Sequence, residues 1–133
     1  MGCRGNYVRI ELVSSDLQTA APLGLYDADG QAVTLGANQR LLLAEVTVDA
    51  ASGSELTTIY AGDGASPVAG ERLIAVGEGV EHIHYRGDYQ SGHRGIVPRV
   101  QAGGAGDVAI TGVGYIIEDG SEARPSYRED LSA

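Results

Sequence analysis

The 133-residue sequence contains no lysine, phenylalanine or tryptophan, and a single cysteine. Each absence excludes something. Without phenylalanine or tryptophan, seven tyrosines are the only large rings. The core must therefore be filled with Val, Ile, Leu and Ala, and it will be thin. The lone cysteine, Cys3, cannot form an intrachain disulfide. No apolar run approaches the roughly 18 residues that mark a helical membrane span. The basic residues are nine arginines scattered along the chain, against a formal net charge of -9. That balance argues against gripping nucleic acid through its phosphates, which needs clustered cations. It favours solubility and docking onto a basic surface. In the opening MGCRGNYV, Arg4, Gly5 and Asn6 interrupt where a secretory leader needs an apolar stretch. Asn6 also stands where a myristoylation motif carries Ser or Thr. These features lead us to expect synthesis and retention in the cytoplasm until assembly.

What is present is glycine and alternation. Twenty glycines punctuate short runs of apolar and polar residues in turn, the pattern of half-buried strands joined by turns. Strands are expected over residues 7–13, 23–27, 31–35, 40–49, 56–61, 72–76, 80–86, 96–101 and 107–118. Asp27-Ala-Asp-Gly30 suits a hairpin turn. Pro98 demotes its run to an edge or a bulge. Strands at intervals of about 8–12 residues, with no long amphipathic helix, predict an all-β antiparallel sandwich, and the strand count favours a jelly roll. Residues 1–118 are expected to form one domain with a flexible arm at 1–6, followed by a polar tail at 119–133. Strict alternation predicts burial of Val8, Ile10, Leu12, Leu42, Val46, Val48, Ile59, Leu73, Val108, Ile110 and Ile116.

Few constellations suggest chemistry. His82 and His84 share one face of a strand, where two imidazoles are able to chelate Zn, Fe or Ni. His82-Ile-His84, followed by Asp88 and then Gly95, resembles the first metal motif of the cupins. That resemblance implies a metal held by His82, His84 and Asp88, with Asp88 in place of the family's Glu. The match is incomplete. No histidine follows Gly95 to supply the third imidazole, His93 comes too early, and Gly77 is one residue out of place. The preferred reading is a polar strand face, against Glu81 or Tyr85, or a subunit contact. No metal or other cofactor is assigned. Asp27, Asp29 and Gly30 begin a calcium-loop pattern that fails at Asn38. Gly62-Asp63-Gly64 lacks the lysine of a phosphate loop. No nucleophile elbow occurs, so no catalytic residue is assigned. Tyr85, Arg86, Tyr89 and Arg94 form a candidate sugar- or protein-contact patch. In the tail, Pro125, Tyr127 and Leu131 are apolar anchors in a polar segment, as in an arm that orders on contact.

Two runs, LTTIYAGDGASPVAGERL (56–73) and GAGDVAITGVGYI (104–116), resemble the small jelly-roll proteins of tailed-bacteriophage virions, the head-decoration or cement type. In that group a glycine-rich loop feeds an alternating last strand ending in a Gly-Tyr pair, here Gly114-Tyr115. The resemblance implies a non-enzymatic structural protein on the capsid surface, with the major capsid protein as partner, trimeric assembly, and no contact with nucleic acid or membrane. The alternatives are a cupin-like metalloprotein, and a glycan- or receptor-binding module of a virion fibre that uses the 85–94 loop.

Overall fold

In the computed structural model, residues 6–14, 16–62, 71–85 and 90–118 are described. They form ten strands: β1 (Asn6–Ser14), β2 (Ala21–Pro22), β3 (Gly24–Tyr26), β4 (Gln39–Ala50), β5 (Thr57–Tyr60), β6 (Arg72–Val76), β7 (Gly79–His84), β8 (Gln90–Ser91), β9 (Arg99–Ala102) and β10 (Val108–Glu118). No α-helix occurs among the described residues. The all-β antiparallel sandwich expected from the sequence is present. One sheet has six strands in the order β3-β1-β10-β4-β7, with β8 also paired to β4; the other has four, in the order β2-β9-β5-β6.

The pairing is nested. Set aside the short β3 and β8, and the first strand pairs with the last (β1 with β10), the second with the second-last (β2 with β9), the third with the sixth (β4 with β7), and the two middle strands with each other (β5 with β6). This is one long antiparallel hairpin. Rolling it up brings β10 beside β4 and β9 beside β5, which completes the two sheets.

The core between the sheets is aliphatic. Val8, Ile10, Leu41, Leu43, Val46, Val48, Ile59, Val100, Val108 and Ile110 are all but fully buried. Each such side chain contributes roughly 1.5–3 kcal/mol by leaving water. Eight of the eleven expected core residues are buried; Leu12, Leu42 and Leu73 are only half-buried. Leu12 lies near the end of its strand. Leu42 is outward because of a bulge. The β4–β10 register slips between Val113 and Gly114, because β4 carries one extra residue, Ala44. Leu41 and Leu43 face inward before this bulge, and Val46, Val48 and Ala50 after it. Strict alternation carried back across the bulge puts Leu42 on the wrong face. Leu73 is the extra residue where β6 slips against β5; half-buried, it still packs against the core beside Ile74 and Val76.

Two other expectations are corrected. β9 starts after Pro98 and lies inside its sheet, between β2 and β5, so it is not an edge. Proline costs the ladder nothing there, since it precedes the paired residues. The 23–35 hairpin keeps its turn, but only one bridge, Tyr26 to Ala32, joins its arms. β3 pairs with β1 instead. The Asp27 carboxylate accepts the backbone N–H groups of Asp29 and Gln31, each at 2.9 Å, and Gly30 takes φ +80°. That carboxylate is a turn-former.

β10 is the strand on which the larger sheet is organised. It is flanked by β1 and β4, and its inward positions run Val108, Ile110, Gly112, Gly114, Ile116. A Cβ on Gly114 would collide with the Leu42 carbonyl and press on the Leu41 and Ile10 side chains. The two glycines bracket the bulge and let the strands close on it. Gly114→Ala should therefore cost about 1–3 kcal/mol as overpacking, while Gly77→Ala, with open space around it, should cost little. Urea unfolding checks this, and equal midpoints for the two variants would contradict it.

Candidate functional site

The two outer faces of the sandwich differ. Behind the four-stranded sheet, Thr58 and Tyr60 alternate with the core residue Ile59, yet both are buried. On this side the Arg99 guanidinium donates to the Ala20 carbonyl, and the Gln101 amide donates to the Gln18 carbonyl. The six-stranded sheet is open. Of the four large apolar side chains exposed among the described residues, Tyr7 (54%), Val13 (74%) and Val80 (69%) project from this face. The fourth, Leu56, lies in a loop.

Alternation sets out the rest of the face. With Val8 and Ile10 turned inward, β1 presents Tyr7, Arg9, Glu11 and Val13 outward. β10 presents Ala109, Thr111, Val113 and Tyr115, and β4 presents Glu45, Thr47 and Asp49. β7 adds Val80, His82 and His84. Tyr7 and Tyr115 meet edge to face at 6.0 Å. The Arg9 guanidinium lies 5.5 Å from the Tyr26 ring and 4.0 Å from the Glu11 carboxylate. The short residues of β10 lie between the longer ones of β1 and β4, so the face is hollowed. One depression of about 260 Å³ is floored by Thr111, Gly112 and Val113 and walled by Arg9, Glu11 and Glu45. A second, of about 400 Å³, opens further along at Ala109, between Val13 and Asp49.

His82 and His84 lie on this outer face, side by side as expected. The partners are on β4 and differ from those anticipated: His82 Nδ1 is 2.7 Å from the Thr47 hydroxyl, and Nε2 is 3.5 Å from a Glu45 carboxylate oxygen. His84 is registered across from Glu45. His93 is elsewhere, 3.9 Å from Glu71. No cluster of three or more metal-ligating side chains occurs among the described residues.

The other candidates are not brought together on this face. Tyr85 packs half-buried against the core, and its N–H donates to the carbonyl of the bulged Ala44. Burial pushes its hydroxyl above the ordinary value of 10.0. Arg94 is exposed in the turn before β9. Arg86, Asp88 and Tyr89 lie outside the described residues, as do Pro125, Tyr127 and Leu131. Sequence reasoning missed Tyr7, Arg9, Glu11, Glu45 and Asp49. They were legible only as the non-core phase of two alternating runs. Compared with protein-family models, curated proteins and solved structures, the chain matches none.

Two predictions arise here. Elemental analysis of the purified protein should find far less than one Zn, Fe or Ni per chain, because both ring nitrogens of His82 already face partners. About one metal per chain, lost in His82→Ala, would contradict this. The second concerns alkaline stability. A hydroxyl that ionises later in the folded chain than in the unfolded one contributes stability present below pH 10.0 and lost as the pH rises through its higher folded value. Tyr85→Phe should therefore flatten the fall in stability above pH 10 relative to the parent. Parallel curves for the two proteins would rule Tyr85 out as a source.

Proposed function

We propose that this chain is a non-enzymatic structural protein of a tailed-phage virion, made in the host cytoplasm and decorating or cementing the capsid surface. The major capsid protein is its partner, and it works as a trimer. The nested strand pairing carries the reading. We read it as a jelly roll, eight strands in two Greek keys, the architecture implied by the likeness of residues 56–73 and 104–116. The open face of the six-stranded sheet supports it too, since exposed apolar side chains gathered on one side suit contact with a partner. The net charge of -9 suits a basic docking surface and disfavours nucleic acid. No helix among the described residues is long and apolar enough to cross a membrane.

The mechanism is mass action. A module that binds only the assembled shell stabilises that shell, and a trimer multiplies weak contacts into avidity. Tyr85, Arg86, Tyr89 and Arg94, with the tail anchors Pro125, Tyr127 and Leu131, are the proposed further contacts.

Co-sedimentation with empty phage heads tests the proposal. The protein should pellet with heads and raise their heat resistance, and its attachment should weaken with added salt. Deleting residues 121–133 should leave the fold intact and weaken attachment. Light scattering should give a trimer mass. Absence of head binding would overturn the reading; a monomer at high concentration would remove the trimer; undiminished binding by the truncated chain would remove the tail.

A further inference from the structure

We propose that the hollow along β10 is the docking groove for an extended, basic polypeptide segment of the partner protein. The inference rests on the decoration reading above and names the surface and chemistry by which docking occurs. Its ground is the charge and shape of the open face. The two depressions follow one another along β10, from Val113 through Thr111 to Ala109. At about 3.3 Å per residue, the stretch from Val113 to Asp107 gives a trough roughly 20 Å long. Among the described residues, four carboxylates line it, those of Glu11, Glu45, Asp49 and Asp107, against the Arg9 guanidinium and the His82 ring beside Glu45. Arg9 is already engaged with the Tyr26 ring and Glu11.

A neutral chain laid in this trough would strip water from the carboxylates and offer no compensating charge, whereas a basic one neutralises them. Alternate side chains of an extended segment point to the same side. Arginine or lysine at positions four apart on the segment therefore meets Glu45 and Asp49, with the residue midway between them opposite Thr47. Tyr7 at one end and Val13 and Val80 at the other offer apolar contact to the segment's ends.

The sheet edges are poorly suited to take such a segment by strand addition. β2 has two residues and contains Pro22. β6 carries the Leu73 bulge, and edge strand β7 places Glu81 on the inward side, opposite Val48. Each of these devices discourages edge pairing. The face remains.

The test uses a fluorescein-labelled peptide of alternating arginine and valine, about six residues long to match the trough, measured by fluorescence anisotropy at low salt. The full chain should bind it, and Glu45→Gln/Asp49→Asn should weaken binding roughly tenfold, as loss of two contacting charges implies. The control Asp16→Asn/Asp29→Asn removes the same charge from outside the groove and should change affinity less than about twofold. Melting curves establish that both variants fold. Equal losses in the two variants, or none in either, would overturn the groove. So would binding of a neutral oligosaccharide in place of the peptide, or self-association abolished by Val80→Asp. Empty heads separate this inference from the broader reading. A groove-dependent peptide signal without head binding sustains the groove and defeats the capsid role. Head binding undiminished in Glu45→Gln/Asp49→Asn does the reverse.

Discussion

The fold depends on one constraint: the first long strand and the last must pair. β1 and β10 are matched over nine residues, from Asn6 opposite Ile116 to Ser14 opposite Val108. On its other side β10 pairs with the full length of β4. The larger sheet therefore has at its centre a strand that arrives last in the chain. Non-local pairing of this kind pays its loop-closure entropy before the contacts form, so slow folding follows from the topology. Among its large rings the core buries Tyr60 completely and takes Tyr85 at its margin; the rest is aliphatic. The core compensates with close approach. Gly112 and Gly114 take the side-chain volume out of β10 where β4 bulges, and Ile10 and Leu41 lean over the space at Gly114.

The same arrangement makes the outer surface. A central strand of short residues between two strands of long ones gives a trough, and the bulge at Ala44 keeps both halves of β4 in phase with it. Glu45, Thr47 and Asp49 then face outward together, with His82 bound to Thr47 beside them. One sheet keeps Thr58 and Tyr60 buried on its outer side, and the other, among the described residues, leaves Tyr7, Val13 and Val80 exposed.

Much of this was legible in the residues. Alternation located the strands, and the missing Phe and Trp foretold the aliphatic core. The bulges were not legible. Ala44 and Leu73 are ordinary apolar residues, and a single inserted residue shifts phase without leaving a compositional mark, so Leu42 was assigned to the core. Pro98 was read as an edge marker although β9 lies between two strands, because which strands become neighbours is decided by long-range pairing. The open face was hidden for a similar reason. Tyr60 and Tyr7 look alike in the sequence, and only the tertiary cover over Tyr60 separates them.

On the proposed capsid role, the open face of the six-stranded sheet is the surface that meets the shell. Hydroxyl-radical footprinting of the protein, free and bound to empty phage heads, tests it most directly. The exposed side chains fall into two groups that serve as each other's control. Tyr7, Val13 and Val80 should become protected on binding while Leu56 keeps its reactivity. Protection of Leu56 with Tyr7, Val13 and Val80 unchanged would contradict it.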